Sequence, residues 1–363
     1  AASSSIDAAG AFDDLEVRMT RVELEDFRDE EPLFDLALRG RPPRPGDIAS
    51  REDAARLRVE ELAARRDDAR RRLRARVRRL HAVLVFCERE AELLSTEEGL
   101  RRAHYELERA RMSQGATNKL DVVLAELEQA QVQDALHGVE VRRLRAEGTL
   151  RSLLDLSADQ PMAPAGAPGG IAEDDLALMP AEREAWVAEG LQTRAALRET
   201  TAALGRARAD AHRADSELWP WLSWVELSYE LSEKSTPMSW GFALAVDLPI
   251  FAWTGAETEA ADALTRQRAQ EHQGSITRVA REVEGAFAAE RGAQARLETL
   301  RGTLTSAVAG AADAAAASRP PQVPQASVRL RLEVATLRAK RRELEALSAW
   351  VTARLNLHAT VGR

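Results

Sequence analysis

The chain has 363 residues, of which 30% are charged and only 4% aromatic, with Ala, Leu, Arg and Glu dominant. That composition belongs to long helices and coiled coils and argues against a division into two or three compact domains. A net charge of -8 supplies no concentrated basic face, so no nucleic-acid partner is expected. The single cysteine, Cys87, excludes an intramolecular disulfide and a cysteine metal cage, and no run of about 18 apolar residues offers a transmembrane helix.

Residues 1 to about 14 carry no periodic pattern and are expected to be irregular. Two strand-like runs follow, Leu15 to Phe27 and Pro32 to Arg39, and then a Pro-rich break from Arg41 to Gly46. From Asp47, a favourable N-cap type, a helical pattern runs without a breaker to about Met112, a reach of roughly 100 Å at the α-helical rise. Within it Leu73, Val77, Leu80, Leu84, Cys87, Ala91 and Leu94 alternate spacings of four and three, which is a coiled-coil seam. The Arg-rich runs around Arg70 and Arg78 are interleaved with that seam and read as its solvated flank.

The turn Ser113 to Asn118 reverses the chain into a second helix ending near Leu156, with Leu120, Leu124, Leu127, Leu136, Val139 and Leu144 as its apolar positions. Residues 160–179, rich in Pro and Gly, form a linker. The order then recurs: a helix from about Pro180 to Glu217, two strands, a long helix from Gly255 to Ser318, a break at Pro320 to Pro324, and a last helix ending near Thr360. Residues 1–159 and 180–363 therefore read as two repeats of strand pair, long helix and return helix.

Five of the seven tryptophans fall between Trp219 and Trp253: Trp219, Trp221, Trp224, Trp240 and Trp253. Counting alternate positions puts Trp221, Ser223, Val225, Leu227, Tyr229 and Leu231 on one face of the first strand there. The other face holds Leu222, Trp224, Glu226, Ser228, Glu230 and Ser232. The returning strand has an unbroken apolar face, Trp240, Phe242, Leu244, Val246, Leu248 and Ile250, opposite Ser239, Gly241, Ala243, Ala245 and Asp247. Apolar-out, polar-in alternation bounded by an aromatic belt is what a lipid-facing barrel needs, with Asp247 toward the lumen. Four strands from one chain cannot close a barrel, so the reading carries oligomerisation with it.

These features resemble the TolC-type outer-membrane efflux protein family. The stretch from Ser239 to Phe251, with Leu248-Pro249 at its end and Gly255 before a long helix, is similar to the family's strand and helix opening. Thr193 to Arg198 resembles the segment that opens the preceding helix, with Ala195 and Ala196 in place of Pro and Glu, and Ala353 to Leu357 resembles the close of a repeat. Gly115 to Glu126 resembles the turn at the periplasmic tip.

The resemblance implies a mainly α fold with a small β part. Long antiparallel coiled-coil helices would form an α-barrel, and two β-hairpins per chain would contribute to a trimeric β-barrel. It implies no enzyme and no cofactor, but a homotrimer in outer-membrane lipid with a periplasmic helical extension. The partners would be a periplasmic adaptor and an inner-membrane pump, in efflux or type I secretion. At the tip it singles out Gly115, Asn118, Lys119 and Asp121, with Arg319, Arg329 and Arg331 on the second turn, and Asp121 is expected to pair with Arg329 or Arg331 as a gate.

Two departures from the family pattern stand out. Only about 14 residues precede Leu15, where the family has a long leading helix. The first hairpin is also charged, since Leu15, Val17 and Met19 share a face with Arg21, Glu23 and Glu25, opposite Glu16, Arg18 and Asp26. Charges are therefore expected to face lipid whichever side turns outward.

The six histidines, His81, His104, His137, His212, His272 and His358, show no metal-ligand spacing and are expected on helix surfaces. No phosphate loop, nucleophile elbow or metalloprotease helix appears, which makes an enzyme the least supported class. The rival reading is a soluble coiled-coil scaffold or adaptor of the same architecture without a pore. An adaptor with a lipoyl-like β-domain would need more strands than the sequence offers.

Overall fold

The computed structural model describes residues 2–11, 14–22, 33–157, 159–160, 182–232, 239–248, 255–317 and 325–362. In chain order the elements are α1 (Ala2–Ala9), β1 (Glu16–Val22), β2 (Leu33–Gly40), α2 (Asp47–Ser113), α3 (Lys119–Leu154), α4 (Arg183–Thr193), α5 (Ala195–Glu217), β3 (Trp221–Ser232), β4 (Ser239–Asp247), α6 (Ala256–Ala317) and α7 (Gln325–Val361). The start of the chain departs from expectation: residues 2–9, read as irregular, form helix α1, because its mixture of small residues with Ile6 satisfies helical bonding without a periodic apolar stripe to signal it.

The chain divides into two compact units, each drawing on both halves of the sequence. The first, residues 1–68 and 195–277, holds the sheet. Its four strands are antiparallel in the order β1-β2-β3-β4. Cross-strand partners share a face, so the register assigns sides directly. Val17 opposes Leu38 and Met19 opposes Leu36, while Leu36 opposes Tyr229 and Leu38 opposes Leu227. Tyr229, Leu227 and Val225 in turn oppose Trp240, Phe242 and Leu244. One apolar face thus crosses all four strands.

A register shift between Leu222 and Trp224 corrects the simple alternation at the start of β3. The extra residue, Ser223, turns Leu222 to the side of Val246 and places Trp221 opposite Asp247, on the polar face. Around the sheet, the Arg44 guanidinium donates to the carbonyls of Ser216 (2.9 Å) and Trp219 (3.0 Å), tying the start of α2 to the end of α5. Helices α2 and α5 meet where Gly205 lacks a side chain, since a Cβ there would lie 3.1 Å from Leu57 Cδ1. Their buried carboxylate, Glu61, lies among Arg58, Arg65 and Arg206.

The second unit, residues 69–194 and 278–363, is helical. Here α2 has two covered faces. Leu84, Cys87 and Leu94 pack on Val132, Val139, Ala146 and Leu150 of α3, while Ala82 and Phe86 pack on Val351, Leu344, Leu347 and Trp350 of α7. Each large apolar side chain so covered contributes roughly 1.5 to 3 kcal/mol. The seam expected from Leu73 to Leu94 holds from Val77 on, whereas Leu73 is exposed.

Helix α3 departs further. Its buried apolar positions are Val122, Ala125, Val132, Val139, Ala146 and Leu150, mostly seven apart, and Leu120, Leu124, Leu127 and Leu144 are exposed. The packed stripe of α3 is thus mainly Val and Ala, and four of its leucines lie on a second, uncovered stripe.

The helix read as continuous from Pro180 to Glu217 is broken at Arg194, whose backbone is extended (φ -67, ψ 117). Arg194 is held there by Glu282, at 2.6 Å, and by the carbonyl of Thr360. Helix α5 consequently opens at Ala195, inside the Thr193–Arg198 segment singled out above. Cys87 is buried, and loss of water there pushes its thiol above the ordinary range.

Candidate membrane face and tip cleft

The sheet has two chemically different sides. On the apolar side Val17, Met19, Leu36, Leu38, Leu227, Phe242, Leu244 and Val246 are all exposed, with Trp240 and Phe242 at 68% and 67%. A soluble protein rarely leaves so large an apolar patch uncovered. On the polar side Glu226 is 8% exposed and receives Arg39 Nε at 2.8 Å and Arg18 Nη2 at 3.2 Å. In the described part of the first hairpin, Arg18 and Arg39 lie on the polar face, where this three-strand clamp pairs both with Glu226, while Arg21, opposite Phe34, falls on the face of Val17 and Met19 as the sequence led us to expect. Residues 23–32, with Glu23 and Glu25, lie outside the described residues.

Of the aromatic belt, Trp219 and Trp240 are exposed, and Trp240 stacks against Tyr229 with ring centroids 4.7 Å apart. Trp221 donates its indole N–H to the Pro42 carbonyl at 2.9 Å, and Trp224 lies beneath the Arg39 guanidinium, 4.3 Å from its ring centroid. Both are thereby engaged on the polar side. Trp253 lies outside the described residues. Asp247 is exposed on the polar face with Ala243 and Ala245. Among the described residues no helix is long and apolar enough to cross a membrane, so a membrane reading rests on the sheet.

The turn between α2 and α3 is built by Gly115, whose φ of +70° is open to glycine at little cost, and by Asn118, whose side chain accepts the N–H of Asp121 at 3.0 Å as the N-cap of α3. Asp121 accepts a hydrogen bond from the Thr117 hydroxyl at 2.7 Å. Lys119 is the exposed first residue of α3.

Beneath this turn lies a cleft of 680 Å³ between α2, α3 and α7, and both Asp121 and Arg331 line it. The structure thus brings these two residues to one cleft, although no ion pair joins them among the described residues. Only the backbone of Arg329, in the first turns of α7, is described, and Arg319 lies outside the described residues.

Three features were not anticipated. His104 lines the cleft with its side chain only 13% exposed, and His358 is buried edge-on against Trp186, which corrects the surface assignment of both. Buried carboxylates recur inside the helical layers: Glu97 holds Arg338 at 2.9 Å, and Glu290 holds Arg354 at 2.9 Å. In a chain where 30% of residues are charged, no spacing rule separates such a carboxylate from its solvated neighbours.

Paired long helices and a four-stranded antiparallel sheet with one apolar face together make the fold of TolC-type outer-membrane efflux channels. The chain is similar in structure to the outer-membrane channel OprN (TM-score 0.78, 17% identity, covering 99% of this chain and 84% of that one). It is similar also to the open state of the MtrE outer-membrane channel of Neisseria gonorrhoeae (0.75, 17%, 99% and 83%) and to the outer-membrane protein VceC of Vibrio cholerae (0.74, 16%, 99% and 90%). At these identities the likeness is one of fold. No protein-family model and no curated protein matches the sequence.

Proposed function

We propose that the chain is a subunit of a homotrimeric outer-membrane channel, a passive conduit that serves an inner-membrane pump through a periplasmic adaptor in efflux or type I secretion. The observation that carries this reading is the largely apolar face shared by β1, β2, β3 and β4, backed by a polar face on which Glu226 holds Arg18 and Arg39. A face of that kind fits lipid on one side and water on the other. Strands β1 and β4 end the sheet, and pairing them between copies is the way to leave no unpaired edge in lipid. Three copies supply twelve strands. The exposed stripe Leu120, Leu124, Leu127 and Leu144 on α3 supports the same association in the helical part, as walls of an α-barrel. Residues 1–159 and 180–363 are then two repeats joined by a linker.

Native mass spectrometry with and without detergent tests the reading. A detergent-dependent species of about three times the 39.9 kDa chain mass is the expected result. A monomer or dimer that stays in solution without detergent would leave the scaffold reading instead.

At the tip, Asp121 narrows the pore by pairing with Arg329 or Arg331 of an adjoining turn, and three such pairs form a charged ring. Asp121→Ala raises single-channel conductance, while Thr117→Ala, which removes only the local hydrogen bond, does not. Equal conductance of wild type and Asp121→Ala would dispose of this gate.

A further inference from the structure

We propose that His104 is an acid sensor at the tip, and that its protonation loosens α7 from the α2–α3 hairpin and opens the channel; the proposal rests on the channel reading above. Neither ring nitrogen of His104 is hydrogen-bonded among the described residues, and both are shielded from water. Nε2 faces Glu108 Oε1 of the same helix at 3.8 Å, and Nδ1 faces Glu128 Oε2 of α3 at 3.9 Å. A neutral imidazole therefore leaves a buried N–H unsatisfied, whereas an imidazolium presents two donors to two carboxylates.

Every charged group that lines the cleft around His104 takes part. From α2 come Arg101, Glu108 and Arg111, from α3 Asp121 and Glu128, and from α7 Arg331 and Arg338. Arg111 pairs with Glu108 at 2.9 Å, Arg101 pairs with Glu128, and Arg338 reaches Glu97 of α2 at 2.9 Å. Among the groups that line the cleft, four cations face three carboxylates while His104 is neutral, and a proton on His104 raises that excess from one positive charge to two.

The two ends of the cluster then respond in opposite ways. Glu108 and Glu128 are drawn toward the imidazolium, which tightens α2 against α3. The charged groups that α7 contributes to the cleft are Arg331 and Arg338, so the excess charge repels that helix. Acid therefore favours separation of α7 from the hairpin. By linkage the ratio of open to closed tips rises by the factor by which the open tip binds the proton more tightly, about tenfold being the expected order.

Two measurements on the trimer test this, comparing wild type, His104→Gln and His104→Lys between about pH 7.5 and about pH 5.5. In planar bilayers the open probability of wild type rises about tenfold on acidification. His104→Gln stays low at both values, and His104→Lys is high at both. In detergent, spin labels at Gln114→Cys and Lys340→Cys, both exposed positions, report a longer distance between the hairpin and α7 at acid pH in wild type but not with His104→Gln. An acid response that His104→Gln retains, or a wild-type distance that pH leaves unchanged, overturns the sensor. A protein that conducts at no pH but still shows the His104-dependent change in distance keeps the sensor and refutes the channel.

Discussion

Leu244→Arg is expected to abolish assembly of the trimer into membranes. Leu244 stands mid-strand on β4, opposite Val225 and half exposed, on the face where Leu227, Phe242 and Val246 are also open. An Arg near the middle of a lipid-facing strand costs about 2 to 4 kcal/mol, and every subunit bears it. The matched control is Ala243→Arg, one residue away at an exposed position of the polar face, where water receives the charge. Membrane extraction followed by native electrophoresis reads both variants. Loss of the trimer for Leu244→Arg with retention for Ala243→Arg supports a sheet with lipid on one side. Equal behaviour of the two variants would show that the apolar face meets no lipid, and the scaffold reading would then take over.

The second large effect belongs to the helical unit. Glu290 is 1% exposed and accepts hydrogen bonds from the Trp350 indole at 3.1 Å and the Arg354 guanidinium at 2.9 Å. Glu290→Ala leaves Arg354 as an uncompensated, mostly buried cation, for which the cost is about 3 to 5 kcal/mol. Glu290→Gln keeps an acceptor for the indole and is expected to lose less. The double variant Glu290→Leu, Arg354→Met is expected to recover most of the stability, because neither buried charge then remains. Denaturant unfolding followed by circular dichroism measures all three. If Glu290→Ala unfolds with wild type, the ion pair does not hold α6 to α7.

Much of the architecture was legible without coordinates because helices and strands announce themselves by local periodicity. The 67-residue α2, the turn at Gly115, the start of α7 at Gln325 and the alternating apolar face of β4 all follow from spacing and from the placement of Gly, Pro and Asn. The errors share a cause. Periodicity says that apolar positions exist but not what covers them: of those on α3, Leu120, Leu124, Leu127 and Leu144 stay exposed while Val139 is packed, together with Val132 and Ala146. A single extra residue, Ser223, was enough to send Trp221 to the other face, because a strand's period of two passes any slip to the positions beyond it. Ala2–Ala9 had no stripe to read at all.

The candidate sites were less legible than the fold. Asn118, Asp121 and Gly115 could be found because a turn is a local event with its own residue chemistry. The Arg18–Glu226–Arg39 clamp joins residues 208 and 187 positions apart, and the surroundings of His104 require α2, α3 and α7 at once. The sequence by itself determined the elements, their order and the amphipathic character of the sheet, since those depend on neighbours within a turn or a pleat. Only the tertiary structure decided which of many identical charges are buried, which carboxylate each arginine meets and which apolar stripes remain open. Pairing across distant segments is set by register and packing, and a chain so uniformly rich in Arg and Glu carries no local mark of either.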